Sequence, residues 1–251
     1  MKVLIVIPSR YGSTRFEGKP LIDIHGKSLV QRTYLQAMKA NLDAKVVVAT
    51  DDAKIYAHVK TFGECTMTSA HHISGTDRCF EVADVLQYDF DVLINLQGDE
   101  PFILPEQIEA LAAAFEDPSV DIATLKKAIK SSDDLFNANM VKVISGADDT
   151  AIYFSRQAIP HVRGIELAEW VNHYAYYRHV GMYAFKREAI AQLKDLKASG
   201  LELAESLEQL RWLENGFKIK VLKTDFVSPA IDTPADLVAV ENFLKSNPEL
   251  I

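Results

Sequence analysis

A chain of 251 residues, 48% hydrophobic and 25% charged, can bury a sizeable core as one α/β domain or as two smaller ones. Its formal net charge of −8 and sequence pI near 5.4 exclude a broad basic face for nucleic acid, so any phosphate site has to be local. No apolar run approaches the roughly 18 residues needed to cross a bilayer, and the run before Pro8 is shorter than the apolar core of a signal peptide. Cys65 and Cys79 form no CxxC or Cys/His pattern, which reads as two reduced thiols of a cytoplasmic protein.

Lys2 to Pro8 is a continuous apolar, β-branched run and predicts a strand buried on both faces of a parallel sheet. After a loop and a turn at His25-Gly26-Lys27, Ser28 can cap a helix in which Val30, Thr33, Tyr34, Ala37 and Met38 recur at helical spacing. Lys45 to Thr50 reads as a second buried strand, Asp52 to Phe62 as a helix, Glu64 to Thr68 as extended, Asp77 to Leu86 as a helix and Phe90 to Leu96 as a third strong strand. This βαβα alternation predicts a mostly parallel sheet with helices on both faces. Further on, Met140 to Ser145 and Ala151 to Ser155 suggest a hairpin about Gly146-Ala147-Asp148-Asp149. His179 to Phe185 is extended, Leu203 to Asn215 and Pro234 to Lys245 are helices, and Lys218 to Thr224 is a strand between them. No repeat or Pro/Gly/Ser-rich linker interrupts the chain.

In an open α/β sheet, ligands sit beyond the carboxyl ends of the strands. The stretch after the first strand, YGSTRFEGKP, has five residues between Gly12 and Gly18-Lys19, then Pro20 instead of a hydroxyl residue, so it is not a Walker A loop. It nonetheless carries Arg10, Ser13, Thr14, Arg15 and Lys19 beside two glycines, a composition suited to an anion. Ala49, Thr50, Asp51 and Asp52 follow the second strand; Asp52 equally suits an N-cap. Ser74-Gly75-Thr76-Asp77-Arg78 offers hydroxyls and a cation at a helix N-terminus, and is also good capping sequence. Gln97-Gly98-Asp99-Glu100-Pro101 closes the third strand with carboxylates where a Mg²⁺ ligand would stand, since Mg²⁺ takes one or two protein carboxylates plus phosphate oxygens and water. Asp232 is a candidate second ligand, with N-capping as its alternative. No catalytic triad, nucleophilic cysteine, HExxH or GxGxxG motif emerges. Phosphoryl or nucleotidyl transfer by positioning and metal electrostatics needs none of them.

The ordered blocks IPSRYGSTRFEGKPL, VVVATDD, SGTDR, INLQGDEP, FNANMVKV, AIYFSRQAIP, YRHVGMYAF, ESLEQLRWLENG and IDTPADL resemble, nearly end to end, the 3-deoxy-manno-octulosonate (Kdo) cytidylyltransferases of lipopolysaccharide synthesis. The resemblance implies a nucleotide-diphospho-sugar-transferase-like, Rossmann-like three-layer fold with a mostly parallel mixed sheet. It implies a single domain, 1–251, with a substrate-facing and dimerisation lobe at roughly 130–190, and a homodimer. CTP would be the co-substrate, facing Pro8, Arg10, Ser13, Arg15 and Lys19, with Ala49, Thr50, Ser74, Thr76, Arg78 and Gln97 around the cytidine. The octulosonate would meet Gln97, Arg156, Arg163, His179, Tyr183, Glu205 and Gln209. Mg²⁺ would be held by Asp99 and Asp232, and these two with Arg10 and Lys19 would form the catalytic set. No nucleic acid or membrane insertion is expected.

Read from the residues alone, His179 and Tyr183 alternate on a strand and equally suit a core, while Glu205 and Gln209 form an i,i+4 pair that equally suits a solvated helix face. The chain departs from the common family loop by Gly12 and by Phe16-Glu17, and a carboxylate there is expected to point away from phosphates. Three rival readings remain at this stage: the same reaction on an 8-amino-3,8-dideoxy analogue of the sugar, a non-catalytic CTP-binding regulator, and a metal-dependent glycosyltransferase. Against the last, the strand ends in QGDEP instead of DxD.

Overall fold

The computed structural model describes residues 1–12, 16–226, 228–229, 231 and 233–250. Ser13, Arg15 and Asp232 therefore lie outside the described residues. The chain divides into two compact units, the first made of residues 1–112 and 227–251 and the second of residues 113–226. The expected lobe at 130–190 falls within the second.

In the first unit, strand β1 (Lys2–Ser9) is followed by a small hairpin of β2 (Asp23–Ile24) and β3 (Lys27–Ser28), helix α1 (Leu29–Ala37), strand β4 (Asp43–Thr50), helix α2 (Ala53–Val59), strand β5 (Cys65–Met67), helix α3 (Gly75–Val85), strand β6 (Val92–Asn95) and helix α4 (Pro105–Ala113). β1 pairs in parallel with β4 on one side, from Lys2 opposite Asp43 to Ser9 opposite Thr50, and with β6 on the other. β5 adds in parallel to β4. The apolar run reads true, because Val3 through Ile7 have no exposed surface, as expected of a central strand covered on both faces. The hairpin turn places His25 at φ 49° and Gly26 at φ 78°, the two positive dihedrals that a two-residue turn between antiparallel strands favours.

The helix starts follow local chemistry. Ser28 accepts from the Gln31 N–H and Asp52 Oδ1 accepts from the Lys54 and Ile55 N–H groups, so Asp52 is an N-cap. Ser74 and Asp77 form a reciprocal capping box at the head of α3. A second core in this unit gathers Ile24, Leu29, Phe102 and Ile231 with Val240 and Leu244 of the last helix, α10 (Asp236–Ser246).

The second unit holds strand β7 (Ile122–Ala128), helix α5 (Ser132–Phe136), strands β8 (Lys142–Ser145) and β9 (Ala151–Ser155), helix α6 (Trp170–His173), strand β10 (Tyr177–Lys186), helices α7 (Arg187–Lys194), α8 (Gly200–Glu205) and α9 (Glu208–Glu214), and strand β11 (Ile219–Lys223). β7 pairs in parallel with β11 and antiparallel with β10, and β8 with β9 makes the expected hairpin. Both units are α/β, and their sheets together are mixed. The pairing of β10 with β7 shifts register between Val180 and Tyr183, and the Thr124 hydroxyl bonds the Val180 and Met182 carbonyls of that irregular stretch at 3.2 and 2.7 Å.

One expectation fails. Leu203 to Asn215 is not a single helix, since Ser206 adopts a left-handed conformation at φ 52° and ends α8, and α9 begins at Glu208. The break is held from outside the helices: the Arg156 guanidinium donates to the Glu205 carbonyl at 2.7 Å and to the Ser206 carbonyl at 3.3 Å. Both carbonyls are those a C-terminal turn leaves without an intrahelical partner.

Candidate active site

A cleft of about 210 Å³ opens at the carboxyl ends of β1 and β6 beside the start of α3, where an open parallel sheet binds its ligands. Three segments of the first unit bring it together. From the end of β1 come Pro8, Ser9 and Arg10; from a short 3₁₀ turn at Lys19–Leu21 come Lys19 and Pro20; from beyond β6 come Gln97, Gly98 and Asp99. His72, Ile73, Ser74, Gly75 and Arg78, at and before the head of α3, complete the lining.

Arg10 and Lys19, nine positions apart, reach one cleft because the loop between them is closed at its base. Gly18 donates its N–H to the Tyr11 carbonyl at 3.0 Å. Gly18 takes φ 69°, which favours glycine, and a Cβ there would lie 3.3 Å from the Tyr11 ring. That ring in turn carries the Lys54 ammonium 4.5 Å from its centroid. Glu17 is exposed, whereas Phe16 packs against the Ile24/Phe102 core. Gly98 is required by close approach: a Cβ would stand 2.9 Å from the Pro8 carbonyl oxygen and 3.2 Å from Ser9 Oγ.

The cleft's electrostatics are paired. Lys19 Nζ lies 3.1 Å from Asp99 Oδ2, with both side chains partly exposed to the cleft. Arg78 is buried and forked between Asp51 Oδ2, at 3.1 Å, and the Thr68 hydroxyl. The C-terminal part of the first unit is tied to this cleft, as the Ile231 N–H donates to the Asp99 carbonyl at 3.1 Å. Ser9 Oγ is buried and has no hydrogen-bond partner among the described residues, an arrangement a polar ligand would relieve.

Not every residue named for the nucleotide reaches the lining. Ala49, Thr50 and Thr76 are buried; Thr50 Oγ1 accepts the Asp52 N–H at 3.2 Å, and Thr76 Oγ1 accepts from Asn95 Nδ2 at 3.2 Å. Ser74 Oγ is engaged in its cap. Conversely, sequence reasoning passed over His72, whose only signal was its place two residues ahead of the Ser74 cap.

In the second unit, the residues named for the sugar acid form two groups. Glu205 accepts from the Ser155 hydroxyl at 2.6 Å and from the Arg156 N–H at 2.9 Å. The Arg156 guanidinium is committed to the carbonyls of Ala138, Glu205 and Ser206. His179 and Tyr183 are neighbours at 5.3 Å between ring centroids, and Tyr183 meets Trp212 edge-on at 5.0 Å. Burial pushes the His179 imidazole down to about 3. Burial, then the charge of Glu208, pushes the Tyr183 hydroxyl well above its ordinary value. Thr124 directs its one proton at the Met182 and Val180 carbonyls, so it accepts from His179 Nε2 at 2.9 Å, which makes Nε2 a protonated nitrogen. Gln209 is buried, and Arg163 is exposed beside Gly164.

The fold and the cleft define a nucleotide-using α/β protein, and the comparisons narrow the class: the cytidylyltransferase family model matches residues 4–219. The 3-deoxy-manno-octulosonate cytidylyltransferase of Parabacteroides distasonis is 49% identical over 97% of this chain and 98% of its own length. The Bacteroides thetaiotaomicron protein of the same name is also 49% identical, over 98% of this chain and 99% of its own. Among solved structures, a CMP:2-keto-3-deoxy-manno-octonic acid synthetase complexed with CTP superposes with a TM-score of 0.92 at 40% identity, covering 98% of this chain and 100% of that one. A 4-diphosphocytidyl-2C-methyl-D-erythritol synthase from Anaerococcus prevotii, at 16% identity over 97% of this chain and 96% of its own with a TM-score of 0.61, shares the fold alone. The chain belongs to the 3-deoxy-manno-octulosonate cytidylyltransferase family.

Proposed function

We propose that the protein activates Kdo with CTP, yielding CMP-Kdo and pyrophosphate for lipopolysaccharide biosynthesis, and that the cleft of the first unit receives the CTP. The observation that carries this reading is the meeting of Arg10, Lys19, Arg78 and Asp99 at the carboxyl ends of parallel strands, in a chain 49% identical to named Kdo cytidylyltransferases.

The anomeric C2 hydroxyl of Kdo attacks the α-phosphorus of CTP in line. The new oxygen–phosphorus bond forms as the bond to the β-phosphate breaks; the hydroxyl proton is lost and pyrophosphate leaves. Arg10 and Lys19 hold the phosphates and stabilise charge as it develops. Ser13 and Arg15, outside the described residues, extend that loop by family resemblance. Ala49, Thr50, Ser74, Thr76, Arg78 and Gln97 shape the cytidine end, several of them from beneath the lining. Arg156 acts as a strut that sets Glu205, leaving Glu205, His179, Tyr183, Gln209 and Arg163 to meet the sugar.

The donor set suits Mg²⁺. Among the described residues no group of three metal-ligating side chains occurs, and Mg²⁺ asks for one or two carboxylates completed by phosphate oxygens and water. Asp99 and Asp232 would hold it, Asp99 from within the cleft lining and Asp232, outside the described residues, by family resemblance. When bound, the ion would neutralise phosphate charge and acidify the attacking hydroxyl. The protein works as a cytoplasmic homodimer in this reading, and no described helix is long and apolar enough to cross a membrane.

The test is pyrophosphate release from CTP with Kdo, with its 8-amino analogue and with no sugar. Sugar-dependent release supports the reading, and the ratio of kcat/KM names the acceptor. Folded protein that binds CTP yet releases nothing would leave only a CTP-binding role.

A further inference from the structure

His72 lines the cleft and has no part in the chemistry above, yet its ring is firmly held. Its Nε2 is hydrogen-bonded to Glu81 Oε2, and the same oxygen accepts the Ser69 N–H at 2.8 Å. Glu81 belongs to α3, the helix that also presents Arg78, so histidine and arginine are set by one rigid element. Burial opposes charge on Glu81, but the Ser69 N–H, the His72 ring and nearby Arg78 bring its carboxyl below the usual range.

A carboxylate only accepts hydrogen bonds, so the ring turns an N–H at Nε2 towards Glu81, and a ring with a single proton then has Nδ1 as an acceptor. An acceptor has nothing to offer a triphosphate, whose oxygens are themselves acceptors. It matches the donors a nucleoside carries: the exocyclic amine of cytosine and the hydroxyls of ribose. We propose that His72 binds the nucleoside part of CTP through Nδ1, with Glu81 as the residue that positions it. The inference rests on the reading of this cleft as the CTP site.

Calorimetric titration at pH 8 tests it on the wild type, His72→Ala and Glu81→Gln, each confirmed folded by circular dichroism. The probes are CTP, UTP, 2′-deoxy-CTP and pyrophosphate. His72→Ala is expected to weaken CTP about tenfold, the worth of one net hydrogen bond, and Glu81→Gln to weaken it less. Pyrophosphate affinity should be unchanged, and KM for CTP should rise while kcat stays within about threefold. Loss of the wild-type advantage with UTP would assign the contact to the amine, its loss with 2′-deoxy-CTP to the 2′-hydroxyl, and its survival with both to the 3′-hydroxyl. Unchanged CTP affinity in His72→Ala, or an equal loss with pyrophosphate, would overturn the proposal. A wild type that binds no CTP would instead bring down the reading of the cleft.

Discussion

Asp99 is the residue on which the proposed chemistry turns. Its carboxylate is engaged by Lys19 at 3.1 Å, so the cation meant for phosphate and the acid meant for metal stand as a pair. Asp99→Ala should keep the fold, with a melting temperature within a few degrees of wild type, because a partly exposed pair contributes about 1 kcal/mol or less. Turnover should fall at least a hundredfold, as expected when a group acting on the transition state is removed. Metal-free CTP binding should not weaken, since one carboxylate fewer faces the phosphates. Near wild-type turnover at saturating Mg²⁺ would refute the role given to Asp99. Gly98 is constrained more simply: Gly98→Ala drives a Cβ to 2.9 Å from the Pro8 carbonyl oxygen. We expect a loss of about 1–3 kcal/mol in urea unfolding, the usual cost of overpacking, together with weaker CTP binding; unchanged stability would contradict the close approach.

Among the elements, the junction of β8, β9 and the α8–α9 break concentrates the unusual packing. Lys142 has no exposed surface, and its ammonium bonds the carbonyls of Asn137 at 2.9 Å, Met140 at 2.5 Å and Arg156 at 2.5 Å. Burial lowers its pKa. Lys142→Met should cost about 3 kcal/mol, because stranded carbonyls outweigh the relief of burying one charge less; urea unfolding with no shift in midpoint would show that these bonds contribute nothing net. Such features explain what the sequence could and could not disclose. Strands β1, β4 and β6 were legible because their burial is written as unbroken apolar runs, and α3 because Ser74 and Asp77 are a capping box. Strand β7 escaped notice because Lys126 and Lys127 interrupt its pattern; Lys126 is in fact buried, bonded to Ser145 and Asp149. The break at Ser206 was invisible for a different reason. Leu203 to Asn215 has helical spacing throughout, and what ends the helix is Arg156, some 50 positions away. Of the cleft, the loop cations and Asp99 could be read from their place after strands. His72 could not, since its role depends on Glu81 one helix-length on.

The molecule as a whole should respond to acid through His179. Folded, this imidazole protonates only near 3 because it is buried, whereas in the unfolded chain it protonates near its ordinary value of about 6.5. Below about 6.5 the unfolded state binds the extra proton, so stability is intact above that pH and is lost as pH falls towards 3, at up to about 1.4 kcal/mol per pH unit from this group. The gap in unfolding free energy between wild type and His179→Gln should therefore narrow between pH 7 and pH 4, and a gap independent of pH would contradict the burial. The central claim, nucleotidyl transfer to the sugar hydroxyl, is tested most directly by ³¹P nuclear magnetic resonance of the protein with CTP, Mg²⁺ and Kdo. The account predicts that the CTP signals give way to pyrophosphate and one new phosphodiester, and that neither forms without the sugar. Unchanged CTP, or its breakdown to CDP and inorganic phosphate, would contradict it.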